Sequence, residues 1–248
     1  MMEVIGVKID QINLSGAVEK ITAWAGDSQQ RLIVTVNPEI VVAAQQNQKY
    51  KKVLNQADLS TCDGVGLVWA ARFLHKQALS RVTGVDLTEA LLNQKNSDLK
   101  FFLLGAQDIV VSTVKNKFSQ ALIVGIDSGG RLQEQLDGRW LLENNEEIVQ
   151  RIKDSRANIL LVAFGGVKQE LWLSQNLVKM PNIKVAIGVG GTFDYLAGKI
   201  SRAPKWLRLI GLEWLFRLIK EPKRIRRIYN AIVKFGYLVI KQKMKSYV

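Results

Sequence analysis

Residues 158–191 read NILLVAFGGVKQELWLSQNLVKMPNIKVAIGVGG and contain the alternation that decides the fold. Continuous apolar runs at 158–164 and 182–189 predict two strands, and residues 168–178 between them predict a helix. Strands that are apolar at every position are typical of a parallel sheet covered by helices on both faces. Pairs of glycines follow each run and indicate sharp turns from strand into helix.

The same alternation extends towards the N-terminus. Further strands are predicted at 4–9, 31–36, 59–62, 100–104 and 121–126. Helices are predicted at 16–25, 38–54, 67–74, 109–118 and 146–155, with one more that ends near residue 93 and is capped by Asp86 or Thr88. Repeated strand–helix alternation predicts a doubly wound α/β domain over residues 1–198, with a mainly parallel sheet and helices on both faces.

The last fifty residues differ from the rest of the chain in charge. Residues 199–248 contain 14 Lys and Arg against two acids, a net charge of +12 out of +13 for the whole protein. Their apolar residues recur at helical spacing in 206–219 (WLRLIGLEWLFRLI) and in 225–240. We interpret residues 199–248 as a basic amphipathic helical appendage that contacts an anionic membrane surface. Two alternatives stay open: a stripe packed on the domain with merely solvated charges, or a nucleic-acid-binding tail.

Composition excludes several classes of site. Cys62 and His75 are the only cysteine and histidine, so an intrachain disulfide and a zinc site of clustered Cys and His are excluded. The N-terminus resembles no signal peptide, and no apolar run is long enough to span a bilayer. From the sequence we expect a cytoplasmic protein, peripheral on the inner face of the cell membrane.

Unusual residues follow five of the predicted strands or lie close to them. Because ligands of doubly wound sheets bind beyond the carboxyl ends of the strands, these residues are the candidates for chemistry. The stretches are 35–38 (TVNP), 62–66 (CDGVG), 81–86 (RVTGVD), 164–172 (FGGVKQELW) and 188–194 (GVGGTFD). Taken singly, Asn37, Asp63 and Asp86 could each be no more than helix caps.

Glycine turns that lead into helices present backbone N–H groups to phosphate. The spacing matches neither a Walker loop nor a G-x-G-x-x-G fingerprint, which disfavours an ATPase and a nicotinamide-dependent oxidoreductase. The chain also contains no Asp-x-Asp pair, the usual holder of a divalent metal on a nucleotide diphosphate. The sequence therefore predicts that Arg, Lys and helix dipoles neutralise a diphosphate, with no metal and no cofactor.

These stretches, in this order, resemble the WecG/TagA/CpsF glycosyltransferases, glycosyltransferase family 26. The most specific parts are residues 188–204, GVGGTFDYLAGKISRAP, and 211–227, GLEWLFRLIKEPKRIRR. The resemblance implies an inverting, metal-independent transfer of an N-acetylmannosamine-type sugar from UDP. The acceptor would be undecaprenyl-diphosphate-linked N-acetylglucosamine, in teichoic acid, common antigen or capsule synthesis. The oligomeric state, a homo-oligomer included, is left open.

The resemblance also implies roles for individual residues. Asp63 would be the general base, and Arg81 would face the diphosphate or the acceptor. The remaining expected substrate-binding residues are Thr35, Asn37 and Gln169 for the sugar, Gly190, Gly191 and Asp194 for the nucleotide, and Arg217, Arg224 and Arg227 over the diphosphate.

Overall fold

The structure is a computed structural model that describes residues 2–95, 98–222 and 225–245. Its strands form one large sheet and two small hairpins. In chain order the strands are β1 (Met2–Val4), β2 (Val7–Ile9), β3 (Arg31–Val36), β4 (Leu59–Cys62), β5 (Lys100–Gly105), β6 (Leu122–Asp127), β7 (Leu132–Glu134), β8 (Trp140–Leu142), β9 (Ile159–Ala163) and β10 (Val185–Gly188). The large sheet has the order β4-β3-β10-β9-β5-β6, and its neighbouring strands are all parallel.

Helices cover both faces of this sheet, which confirms the predicted fold class. They are α1 (Leu14–Ala25), α2 (Pro38–Gln46), α3 (Gln48–Gln56), α4 (Val65–His75), α5 (Gly84–Leu92), α6 (Asp108–Lys117), α7 (Asn145–Asp154), α8 (Lys168–Asn176), α9 (Thr192–Leu196), α10 (Lys205–Leu209), α11 (Glu213–Lys220), α12 (Ile225–Tyr229) and α13 (Phe235–Lys245). One core cluster joins the sheet to α1, α5, α6 and α9. Two others join it to α2, α3, α4, α7 and α8.

The order of the strands fixes where a ligand can bind. The chain runs from β3 outward to β4, crosses to β5 and β6 at the other edge, and returns through β9 to β10 beside β3. The helix α2, which follows β3, packs on one face of the sheet, whereas α9, which follows β10, packs on the other face. The chain therefore diverges beyond the carboxyl ends of these two neighbouring strands and opens a crevice there. The segments that follow β3, β4 and β10 meet at this crevice.

Three predicted elements are wrong in their boundaries. The strand predicted at 4–9 is the antiparallel hairpin β1–β2, because Ile5 and Gly6 adopt positive φ values of 53° and 74° and form a turn. The helix predicted at 38–54 is interrupted at Asn47, whose extended backbone ends α2 and whose side chain caps α3. The helix over 84–92 is capped by Thr83 and not by Asp86 or Thr88.

The appendage also departs from its predicted form. The segment 206–219 is two helices, since Gly211 adopts φ 81° between α10 and α11. From 225 to 245 the chain is helical, with a π-helical turn at Asn230–Lys234. Phe235 and Val239 are buried with α2 and α4, so part of the tail packs on the α/β domain. Within the described residues, no helix is long and apolar enough to cross a bilayer.

Candidate active site

Asp63 lies directly after β4, at the edge of the sheet where the crevice opens. Its side chain keeps some exposure to solvent, and its Oδ2 accepts a hydrogen bond from the backbone N–H of Gly84 at 3.3 Å. Gly64 follows with φ 125°, a conformation that suits glycine and lets the chain turn from β4 into α4. The turn therefore presents Asp63 to the crevice.

Gly84 brings the N-terminus of α5 against the sheet. A Cβ at this position would lie 3.2 Å from both Thr192 Oγ1 and the carbonyl oxygen of Val189. Glycine thus allows the close approach that places the Gly84 N–H within reach of Asp63. The predicted stretches around residues 63, 84 and 192 meet here in space.

The electrostatics of Asp63 suit a general base. Burial raises the pKa of Asp63 from its ordinary 3.8 to about 6, while Arg217, the Gly84 N–H and Arg81 act to lower it and Glu213 adds to the rise. A carboxylate with a pKa near 6 is ionised at neutral pH and still basic enough to accept a proton from a hydroxyl in a transition state. Asp63 also lies close enough to Arg81 and Arg217 to be influenced by their charges.

Four arginines gather around two carboxylates beside Asp63, and we call them the arginine cluster: Arg81, Arg202, Arg208 and Arg217. Glu213 Oε2 is 3.7 Å from Arg81, and Glu213 Oε1 is 3.9 Å from Arg202 and 3.7 Å from Arg217. Asp86 Oδ1 is 2.7 Å from Arg202 and 4.0 Å from Arg208. The appendage, through α10 and α11, therefore supplies Arg208, Arg217 and Glu213 to the crevice.

Sequence reasoning assigned no role to Arg202, Arg208 or Glu213. Arg202 stood in a quoted motif, but nothing in the linear sequence says that it reaches Asp86. A signal for Glu213 was available, since it is one of only two acids among the 14 basic residues of the appendage. A rare acidic residue in a segment with so many basic residues is a candidate for a buried ion pair.

Thr35 is the last residue but one of β3 and Asn37 directly follows this strand, and both side chains also hold the fold. The Thr35 hydroxyl, almost fully buried, donates to the carbonyl oxygen of Gly188 at 2.9 Å across the β3–β10 pair. The Asn37 Oδ1 accepts from the Ile40 N–H at 2.9 Å and so caps α2.

Gln169 links the start of α8 to the turn after β10. Its Oε1 accepts from the Gly190 N–H at 3.0 Å, and its Nε2 donates to the buried Glu170 at 2.6 Å. Glu170 in turn accepts from the Tyr50 hydroxyl at 3.2 Å and from the Val167 N–H at 2.8 Å. Burial raises the pKa of Glu170 and, well above its ordinary value, that of Tyr50. This network fixes Gly190, while Gly191 beside it faces open space.

Three other predicted site residues, Asp194, Arg217 and Arg227, form contacts with further side chains. Asp194 forms an ion pair with Lys199 at 3.4 Å. Arg227 donates two hydrogen bonds to Glu39 on α2, at 2.7 and 3.1 Å, and ties the appendage to the helix that follows Asn37. Arg217 also lies 4.7 Å from the ring centre of Tyr195. Arg224 lies outside the described residues.

The only cysteine and the only histidine of the chain contribute no side chain to this site. Cys62 is buried, and burial raises the pKa of its thiol to about 12, so it behaves as a small apolar residue. His75 lies at the far end of α4, where its Nε2 is 2.7 Å from the carbonyl oxygen of Glu3. Across residues 2–95, 98–222 and 225–245, no group of three His, Cys, Asp or Glu side chains is placed to hold a metal ion.

Comparison with known proteins gives two concordant matches. The model of the glycosyl transferase WecG/TagA/CpsF family matches residues 2–248. The chain is also similar to the N-acetylglucosaminyldiphosphoundecaprenol N-acetyl-beta-D-mannosaminyltransferase of Bacillus spizizenii. The two are 32% identical over 230 residues, which cover 91% of this chain and 84% of the relative. With a family match over nearly its whole length, the chain belongs to the WecG/TagA/CpsF family of glycosyl transferases.

Proposed function

We propose that this glycosyltransferase moves N-acetylmannosamine from UDP to the N-acetylglucosamine of an undecaprenyl-diphosphate-linked acceptor, during synthesis of a cell-envelope polysaccharide. The name of the Bacillus spizizenii relative states the transferred sugar and the acceptor. The structural observation that carries the proposal is a partly buried carboxylate with a raised pKa, Asp63, beside a cluster of arginines at a sheet crevice. The family assignment leaves a nucleic-acid-binding role for the tail without support.

Asp63 acts as the general base in this proposal. The acceptor hydroxyl attacks the anomeric carbon of the donor, and the bond from that carbon to the UDP oxygen breaks as the new glycosidic bond forms. Asp63 takes the hydroxyl proton, and UDP leaves with the bonding electrons. A single displacement of this kind needs one base and inverts the anomeric centre. Since Asp63 must be ionised, kcat/KM should fall as the pH is lowered through about 6.

Arginine side chains supply the positive charge that the leaving diphosphate requires. Arg81 and Arg217 already influence the charge state of Asp63, so a diphosphate next to the reacting carbon would lie within range of both. Fixed charges aimed at the developing negative charge stabilise a transition state without a metal. We therefore propose a reaction that is independent of divalent cations.

The appendage is proposed to dock on anionic lipid, because the acceptor is held in a membrane. Its helices carry large apolar side chains that are exposed to solvent: Trp206, Ile210, Ile219, Ile225, Tyr229, Tyr237, Ile240 and Met244. Lysines and arginines lie among them, and each basic side chain near an anionic surface contributes about 1 kcal/mol. The same segment would thus bind the membrane and bring Arg208 and Arg217 to the site.

A donor panel tests the proposed reaction. UDP-N-acetylmannosamine, its gluco and galacto isomers and a short-chain lipid-diphosphate N-acetylglucosamine acceptor are incubated with the full chain, and the product's anomeric configuration is read by NMR. We expect turnover with the manno donor and inversion. The exchange Asp63→Asn should lower kcat by about 10²–10⁴-fold, whereas Asp137→Asn, an exposed carboxylate beside Arg139, should leave it unchanged. Retention of configuration, or an active Asp63→Asn variant, would contradict the mechanism.

A further inference from the structure

Three members of the arginine cluster have unused hydrogen-bond donors. The Nε groups of Arg202, Arg208 and Arg217 are buried and have no hydrogen-bond acceptor in the described part of the chain. A buried N–H without an acceptor costs free energy, and all three lie in one place. Their guanidinium groups are therefore poorly satisfied by the protein's own side chains.

Glu213 is the carboxylate that two of these arginines, Arg202 and Arg217, share with Arg81, whereas Arg208 lies 4.0 Å from Asp86. Glu213 is only 16% exposed, and it lies 3.7–3.9 Å from Arg81, Arg202 and Arg217. These distances allow attraction between charges but exceed those of charge-assisted hydrogen bonds, which are about 2.7–2.9 Å. Glu213 thus attracts three cations without accepting a hydrogen bond from the buried Nε groups of Arg202 and Arg217.

Arg202 is fixed independently of Glu213. Its Nη2 lies 2.7 Å from Asp86 and 3.4 Å from the hydroxyl of Thr83, and both partners sit at the start of α5, whose Gly84 contacts Asp63. Asp86 therefore holds the outer end of the guanidinium and leaves the Nε edge towards Glu213. Such an arrangement presents a rigid donor to whatever lies at the position of Glu213.

We infer that Arg202 and Arg208 belong to the binding site for the donor's diphosphate, and that Glu213 is a resident counter-ion which the diphosphate displaces. The inference rests on the proposed use of a UDP-sugar. A diphosphate offers more acceptor oxygens and more negative charge than one carboxylate, so it can satisfy the Nε donors that Glu213 leaves unpaired. Glu213 then competes with the donor and sets its affinity, which would also favour release of UDP after transfer.

Binding of UDP to the full chain, measured by titration calorimetry, tests the inference. Glu213→Gln removes the competing charge and keeps the shape, so UDP should bind about three- to tenfold more tightly, since like charges held together weaken association. Arg202→Lys keeps a positive charge but loses the Nε donor, and UDP should bind about tenfold more weakly. Glu134→Gln, which removes the same charge from the exposed β7, is the matched control.

A purely structural role for Glu213 predicts the opposite result. If Glu213 served only to hold the arginines in place, Glu213→Gln would weaken UDP binding, and that outcome would overturn the inference, as would unchanged affinity. Unchanged affinity in Arg202→Lys would remove Arg202 from the site. The pH profile supplies a second readout: with Arg81, Arg217 and the Gly84 N–H still facing Asp63, loss of Glu213 should move the acidic limb of kcat/KM to lower pH. Failure of the unaltered protein to bind UDP would overturn both the inference and the proposed function.

Discussion

Replacement of Asp63 by asparagine should stabilise the fold while it abolishes most activity. Burial raises the pKa of Asp63 above that of an unfolded chain, so the ionised carboxylate is less favourable in the folded protein than in water. Asparagine is close in shape to the protonated acid, and its oxygen can still accept the hydrogen bond from the Gly84 N–H. The catalytic carboxylate is thus expected to lower stability at the pH at which it works.

The magnitude follows from the two pKa values. Between 3.8 and about 6, at 1.36 kcal/mol for each pKa unit, the ionised group costs at most about 3 kcal/mol. Partial exposure of Asp63 to water reduces this, so we expect a gain of about 1–3 kcal/mol for Asp63→Asn. The size of the cost depends on pH. The cost is absent below pH 3.8, grows between pH 3.8 and 6, and is complete above pH 6.

Thermal unfolding of Asp63→Asn and of the unaltered chain from pH 5 to pH 8 would measure the effect. For a chain of this size each kcal/mol shifts Tm by about 2–4 °C, so the variant should unfold at a higher temperature at pH 8 and lose about half of this advantage by pH 5. Asp137→Asn is the control, because hydrogen bonds from Arg139 lower the pKa of Asp137, and no gain is expected there. An Asp63→Asn variant that is no more stable at pH 8 would refute the reasoning.

Other perturbations should separate chemistry from structure. Transfer measured in excess EDTA should equal transfer with added magnesium; a chelator-sensitive reaction that magnesium restores would exclude the arginine-based mechanism. Arg217→Ala should lower kcat by about 10²-fold or more and leave vesicle binding unchanged in a flotation assay. A variant that loses vesicle binding in proportion to its loss of activity would show that Arg217 serves only in membrane docking. Gln169→Ala should lower both donor affinity and Tm, since its side chain is buried between Glu170 and Gly190; a Tm equal to that of the unaltered protein would contradict the second part. Truncation after Gly198 should lower Tm, because it removes the buried Phe235 and Val239 from the core, and a truncated chain as stable as the whole would show that the tail is a separate domain.

The sequence alone determined the fold class and predicted a candidate site beyond the ends of the strands. Uninterrupted apolar runs such as 182–189 predicted a parallel sheet, and the polar and glycine residues after them predicted a crevice at the carboxyl ends of its strands. The prediction of a parallel sheet is confirmed because a buried parallel strand must be apolar on both faces, and this requirement is visible in the linear order of residues. The excess of charge after residue 198 likewise marked the appendage as basic.

Only the tertiary structure decided which of these residues face one another. Asn37 and Asp63 looked alike as caps after strands, yet Asn37 caps α2 while Asp63 meets the charges of Arg217 and Arg81. Glu213 contacts Arg81, more than a hundred positions before it in the chain, and Arg202, eleven positions before it. The periodicity of the sequence predicts neither contact. Local patterns report which face of an element is buried. The pairing of charges depends on how the appendage folds back over the sheet, which is a property of the whole chain.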